Sequence, residues 1–421
     1  MIYDVNSIRE DFPILKRKIH GRELVYFDNA ATTQRPKQVV EAIAKFYLYY
    51  NANVHRGFHT LSQEASQLFE ESYEEIAKFI NGNMEETILT INTTDAINIV
   101  AYGWGLRNLK KGDEIVTTVM EHHSNMLPWR ELAELTGAKI KYVDITEDGE
   151  LNYKDLESKI TERTKIVAFT LASNVVGTIN DYKKIVNLAH SVEAIVIADG
   201  AQYVPHVETD VKKMDVDFLA FSGHKMLGPT GIGILWGKKE ILEEMKPFRV
   251  GGDTIKDVTL DNVVWHDLPW RFDAGTPHIA GVIGLAEAVR YLKKIGMDGV
   301  RAHDIELVKH TIKLMKEIDD IEILGPLDPE KRTGLVAFNI KGLHHHIVAK
   351  ALDMYGIAVR SGGHCAHPLH YRLNYQGSVR ASYYIYNTKE EVDYFVEKLQ
   401  KIISVKERLA TEPVENVCTG T

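Results

Sequence analysis

Cysteine is nearly missing from this chain: two occur among 421 residues. A single pair builds no disulfide framework, which points to a reducing compartment and leaves either thiol available for chemistry. No apolar run reaches roughly 18 residues, so no membrane span is expected. Met1 to Phe12 carries acids where a signal peptide would carry a hydrophobic stretch, and the cytoplasm is the expected setting. Positive charge is not in excess either. Fifty basic against 59 acidic side chains leave a formal charge of −9, which disfavours stable nucleic-acid binding. Internal repeats, low-complexity blocks and coiled-coil heptads are absent from the sequence.

What is present is an ordinary globular composition, 44% apolar and 26% charged, on a chain long enough for one large domain and a smaller one. From about 85 to 236, short apolar runs alternate with helical segments, the pattern of a sheet covered on both faces. Strands are predicted at 87–91, 114–119, 139–143, 165–169, 194–198, 217–221 and 232–236. Helices are predicted at 127–135, 153–160 and 182–190, and Ser62 to Ile80 reads as an amphipathic helix capped by Ser62. Beyond 280 the texture changes to helices at 279–294 and 300–318, strands at 335–340, 357–360 and 379–382, and helices at 346–355 and 389–407. This is an α+β pattern. The tail over 409–421 has few large apolar groups and is expected to be mobile.

Four short stretches carry chemistry. Asn92-Thr93-Thr94-Asp95 follows a strand and opens a helix, so its free amides and hydroxyls suit a phosphate or an ordinary N-cap. Asp199 ends a very apolar strand, where open α/β sheets bind ligands. It needs a cation there, either a protonated heterocycle nitrogen or a salt-bridge partner, and Gln202 adds an amide beside it. Lys225 lies in Ser222-Gly223-His224-Lys225-Met226-Leu227-Gly228-Pro229, where desolvation would free its amine for a Schiff base; a phosphate-holding glycine loop is the rival. Cys365 lies in Arg360-Ser361-Gly362-Gly363-His364-Cys365-Ala366-His367-Pro368. A nucleophilic thiol, a zinc ligand and an inert buried cysteine are its three readings, and His344-His345-His346 reads as solvated.

In this order and spacing these sites resemble the pyridoxal-phosphate cysteine desulfurases of the class V aminotransferase family, specifically the SufS-like group. The likeness runs from Asp11-Phe12-Pro13 to about Arg408. It includes Asp28-Asn29-Ala30-Ala31, Val54-His55-Arg56-Gly57, Glu121-His122-His123-Ser124-Asn125, Ser173-Asn174-Val175-Val176-Gly177 and Arg271-Phe272-Asp273-Ala274-Gly275-Thr276-Pro277. The resemblance implies an α/β fold of the fold-type I class, with a large domain over 16–280 built on a mainly parallel seven-stranded sheet. A small α+β domain is implied over 1–15 and 281–408, as is a homodimer with shared active sites.

The same resemblance implies residue roles. Lys225 would carry pyridoxal 5'-phosphate as a Schiff base and shuttle protons, Asp199 would face the ring nitrogen, His122 would stack on the ring, and Gln202 would contact its phenolic oxygen. Thr93, Thr94, Ser222 and His224 would hold the phosphate, joined by Thr276, and by the Gly251-Gly252 segment, across the dimer. Arg380 would clamp the substrate carboxylate, with Asn174, Arg360 and His55 also on the substrate side. Cys365 would take sulfur from L-cysteine, leaving alanine, and pass it to an acceptor or an iron-sulfur scaffold protein. No metal is expected. Selenocysteine lyase, an aminotransferase-like enzyme or a catalytically reduced scaffold would reuse much of this set; Cys365 separates a desulfurase from a simple aminotransferase, whereas selenocysteine lyases share the cysteine loop. The chain departs from many relatives at Gly363, commonly histidine, at Asn92, commonly arginine, and in the histidines after Cys365. Cys418 lies beyond the likeness and is expected to be incidental.

Overall fold

A computed structural model describes residues 4–411; Cys418 and the chain from 412 onward, where most of the expected tail falls, lie outside the described residues. The seven predicted strands form one sheet: β1 Thr87–Thr90, β2 Glu114–Thr118, β3 Lys139–Val143, β4 Thr164–Thr170, β5 Ile195–Asp199, β6 Phe218–Ser222 and β7 Gly233–Gly237. Their spatial order is β1-β7-β6-β5-β4-β2-β3. The pairings among β2 to β6 are parallel, whereas β7 runs antiparallel to both neighbours. Strand ends differ from expectation by a residue or so, where side-chain pattern alone does not define the ladder.

The sheet is covered on both faces because its strands alternate apolar contacts. In β5, Val196 and Ala198 join a core shared with Phe69, Phe221 and Leu285, and Ile197 joins the opposite core with Ile97, Ile115 and Leu235. The helix Thr60–Phe79 (α1) and the helix Ile279–Ile295 pack in the first of these cores. His59, not Ser62, caps α1: the Ser62 N–H donates to His59 Nδ1 at 3.2 Å, and the Ser62 hydroxyl donates to the Asn53 carbonyl. Among the described residues, no helix is long and apolar enough to cross a membrane.

A second sheet of β8 Ile321–Leu324, β9 Leu335–Ile340, β10 Arg360–Gly362 and β11 Ser378–Ser382 is antiparallel throughout, in the order β8-β9-β11-β10. Its core collects Leu307, Val336, Phe338, Val379 and Phe395, with Val25 and Phe27 from the N-terminal part of the chain. The predicted strand at 357–360 is split, because Ile357–Ala358 pairs in parallel with Val25–Tyr26 while Arg360 turns into β10. Two polar ties join the layers. His206 Nδ1 lies 2.7 Å from Asp304 Oδ2, both buried, and Asn29 donates to the carbonyl of Ser382 at 2.7 Å. The second tie sets Asp28 beside β11.

Candidate active site

The carboxyl ends of β4, β5 and β6 open into a cavity of about 200 Å³, closed on the other side by the β10 and β11 end of the second sheet. Eleven of the expected residues line it: Thr93, Thr94, Ser222 and His224 at one end, His122, Asp199, Gln202 and Lys225 in the middle, and Asn174, Arg360 and Arg380 on the second sheet's side.

At the first end, the helix Thr93–Val100 (α2) presents its N-terminus. Asn92 Oδ1 accepts from the Asp95 N–H at 3.0 Å, and Ser222 Oγ accepts from the Thr93 N–H at 2.8 Å. Thr94 follows at the second helical position, where a backbone N–H has no acceptor within the helix. Thr93 and Ser222 share a hydroxyl contact of 2.6 Å, as do Thr94 and Ser124. A free amide, several hydroxyls and the helix dipole together suit a phosphate. Burial, followed by Lys225, holds His224 neutral, with its pKa lowered to about 4.

In the middle, Asp199 is buried, and its Oδ1 accepts from the Ala201 N–H at 2.9 Å. Burial pushes its pKa up, while that hydrogen bond and Lys225 pull it down. Lys225 lines the same cavity. Burial lowers its ammonium to about 8 against the pull of Asp199, and Arg380 and Arg360 lower it further. An amine that loses its proton more readily than an ordinary lysine, with a carboxylate nearby, suits an aldehyde cofactor with a protonated ring nitrogen. His122 Nδ1 accepts the Ser124 N–H at 3.1 Å, which leaves the ring proton on Nε2; burial and then Lys225 lower its pKa to about 3. Gln202 donates its amide to the Ala30 carbonyl at 2.7 Å. The donor set therefore fits pyridoxal phosphate, with phosphate, aldehyde and ring nitrogen each facing suitable chemistry.

On the second sheet's side, Arg380 is 2% exposed, and burial lowers its guanidinium to about 10. Nη1 donates to the Asn174 carbonyl at 2.8 Å and Nη2 reaches Asp28 Oδ1 at 3.2 Å, but Nε has no partner among the described residues. A buried cation with an unpaired donor suits a carboxylate ligand.

Cys365 follows β10 on a loop whose backbone is left-handed at two consecutive residues, φ 49° at His364 and 55° at Cys365. Such a conformation costs on the order of 1–2 kcal/mol per non-glycine residue, and the surroundings supply the offset. The His364 carbonyl accepts from Asn174 Nδ2 at 2.8 Å, and the Cys365 carbonyl accepts from the His123 N–H at 2.7 Å. Asn174 thus holds the thiol loop with the amide expected to meet substrate. His364, the neighbour of Cys365 in sequence, is 4% exposed, lies 3.1 Å from the Ser378 hydroxyl through Nε2, and is held neutral by burial. Lys225 and Arg380 each lie within electrostatic reach of Cys365.

His55 and Thr276 lie elsewhere. His55 lines a cleft with Arg56, Asp253 and Trp270, its ring centroid 4.5 Å from that of Trp270, and Thr276 lines another with Arg249 and His278. His344, His345 and His346 are half-buried, and His346 Nδ1 lies 2.8 Å from Ser361 Oγ in β10, so they are not the solvated group expected. Among the described residues, no three His, Cys, Asp or Glu side chains come together as a metal site.

Sequence reasoning gave no role to Glu121, which is fully buried. It accepts from Thr118 Oγ1 at 2.6 Å, from Asn125 Nδ2 at 2.6 Å and from the Thr170 N–H at 3.1 Å, and burial lifts its carboxyl to about 8. The available signal was its place between an apolar strand and His122. Ser124 and Asp28 were also given no role, although both lie in motifs already noted.

Comparison with known proteins agrees with this arrangement. The aminotransferase class-V family matches residues 25–395. A probable cysteine desulfurase of Halobacterium salinarum is 48% identical over 395 residues, spanning 93% of this chain and 95% of that protein. The cysteine desulfurase of Haloferax volcanii is 47% identical over 410 residues, spanning 94% and 96%. The apo structure of a cysteine desulfurase from Thermococcus onnurineus superposes with a TM-score of 0.91 at 43% identity, covering 95% of this chain and 98% of that one. The fold, the cavity and these likenesses lead to one conclusion: the chain belongs to the class-V aminotransferase family of fold-type I pyridoxal-phosphate enzymes, closely related to the cysteine desulfurases.

Proposed function

We propose that this enzyme withdraws sulfur from L-cysteine, releasing L-alanine and holding the sulfur as a persulfide on Cys365. The observation that carries the proposal is the seat of that thiol: two consecutive left-handed residues, each anchored through its carbonyl, within the influence of Lys225 and Arg380. Strained backbone persists where its surroundings over-determine it, and it clusters at working sites. Transamination would use Lys225 and leave such a thiol without a task.

Bound in the cavity, pyridoxal phosphate supplies an aldehyde for the substrate amine and a ring that accepts the electron pair released at the α-carbon. The Thr94 amide and the hydroxyls around it would hold the phosphate. Asp199 would favour the protonated ring nitrogen, and neutral His122 would serve as the ring's neighbour. Lys225 takes the α-proton and later returns one. Arg380 orients the substrate through its carboxylate. The Cys365 thiolate attacks the substrate sulfur: an S–S bond forms as the C–S bond breaks, the electron pair goes to the substrate carbon, and that carbon takes a proton and leaves as alanine.

Exposed Tyr47, Leu48, Tyr49 and Phe58 support a homodimer, and the separation of His55 and Thr276 from the cavity supports their service to the partner's site. The sulfur then passes to an acceptor such as an iron-sulfur scaffold protein, and the scarcity of cysteine supports a cytoplasmic setting. Incubation with cysteine, with alanine and protein-bound persulfide measured together, tests the reading. The wild type should give both, and Cys365→Ser should lose the persulfide and most of the turnover. Alanine at an unchanged rate from that variant contradicts the proposal.

A further inference from the structure

The Cys365 loop begins at Gly363, whose backbone is not left-handed and would accept a side chain on conformational grounds alone. Space forbids it. A Cβ at Gly363 would lie 2.5 Å from Nε2, 2.7 Å from Cδ2 and 3.0 Å from Cε1 of His367. The His367 imidazole, at the start of the helix His367–Arg372, thus fills the volume a side chain at 363 would use. The same ring lies nearly parallel to His123, with centroids 5.1 Å apart at 19°, and its Nδ1 is 3.2 Å from His123 Nε2. His123 is the residue whose backbone N–H holds the Cys365 carbonyl at 2.7 Å. One ring therefore covers the front of the loop and braces the residue that anchors its back.

We propose that His367 is a positioning residue for the thiol: packed over Gly363 and against His123, it keeps His364 and Cys365 in their left-handed turn and so fixes where the sulfur nucleophile sits. The proposal rests on the desulfurase reading for its kinetic consequence but not for its structural one. Loss of the ring frees Gly363, the residue that starts the turn, and removes the brace from His123. The loop then samples conformations in which the thiol is more open to solvent and less often aligned with substrate. A ring supplied from position 363 instead of 367 would occupy the same volume and restore the turn.

The test uses the full-length holoenzyme and its cofactor-free form, with four variants: His367→Ala, Gly363→Ala, the double variant Gly363→Ala/His367→Ala, and the exchange Gly363→His/His367→Ala. Alkylation of Cys365 by iodoacetamide, mapped by peptide, reports loop order without turnover. Steady-state cysteine turnover reports alignment. His367→Ala should raise the alkylation rate about tenfold in both forms and lower kcat about tenfold, with KM and the cofactor absorbance held. Gly363→Ala alone should also perturb both readouts by displacing the ring, the double variant should be no worse than His367→Ala, and the exchange should recover most of the wild-type behaviour. Unchanged alkylation in His367→Ala, additive effects in the double variant, or no recovery in the exchange would overturn the proposal. Wild-type enzyme that never carries a persulfide would reject the desulfurase reading instead, and the alkylation series would still decide the role of His367.

Discussion

The backbone N–H of His123 donates to the carbonyl of Cys365 at 2.7 Å. This bond ties the loop after β2, which carries His122 at the cavity, to the loop that carries the one cysteine among the described residues. His122 and Cys365 are thereby held in one frame, although 242 positions separate His123 from Cys365 in the sequence.

Lys225 should titrate far below an ordinary lysine. Covalent capture of pyridoxal phosphate by the cofactor-free protein needs the neutral amine, and burial lowers this group from 10.5 to about 8. The capture rate, followed by absorbance and borohydride trapping, should rise with pH and level off just above about 8. A midpoint near 10, or trapping in Lys225→Ala, would exclude this lysine.

Asp199→Asn keeps the volume and the Ala201 contact but removes the charge. Turnover should fall about 10²-fold or more, as expected for losing a preorganised electrostatic group, while the folded state and phosphate binding persist. Near wild-type turnover would show that Asp199 does not face the ring nitrogen.

Arg380→Ala should act on substrate capture. A charge-assisted hydrogen bond is worth about 1.5–3 kcal/mol, so KM for cysteine should rise about 10- to 100-fold, with Arg380→Lys in between and cofactor absorbance retained. An unchanged KM would assign the carboxylate to another clamp.

Glu121 makes a prediction about stability. Its folded pKa is raised from 4.5 to about 8, so its stabilising share is full below the unfolded value and is lost as pH rises through the folded one. Glu121→Gln carries no such proton. Relative to wild type, its melting temperature should therefore climb between about pH 4.5 and 8; a constant difference would mean that Glu121 is ionised throughout.

The large sheet was legible because its strands are runs such as Ile195-Val196-Ile197, buried on both faces, bounded by turn residues and punctuated by helical segments. The cavity residues were legible because Thr94, Asp199, Ser222 and Lys225 all lie at or just beyond strand ends. Interactions that depend on a second, distant segment were not. His364 adjoins Cys365 in sequence yet lies within 3.1 Å of Ser378, and the space beside Gly363 is filled by His367. His59 rather than Ser62 caps α1 because the Ser62 hydroxyl is committed to Asn53. Adjacency along the chain names candidates, but the partner that satisfies each polar atom is chosen by tertiary packing.

The most direct measurement is a brief pulse of sulfur-labelled cysteine, followed by acid quench, peptide mapping of the label and quantification of alanine in the same sample. The account predicts label first on the peptide containing Cys365, with one alanine formed per sulfur bound. Label appearing first on Cys418, or alanine formed with no sulfur on Cys365, would contradict it.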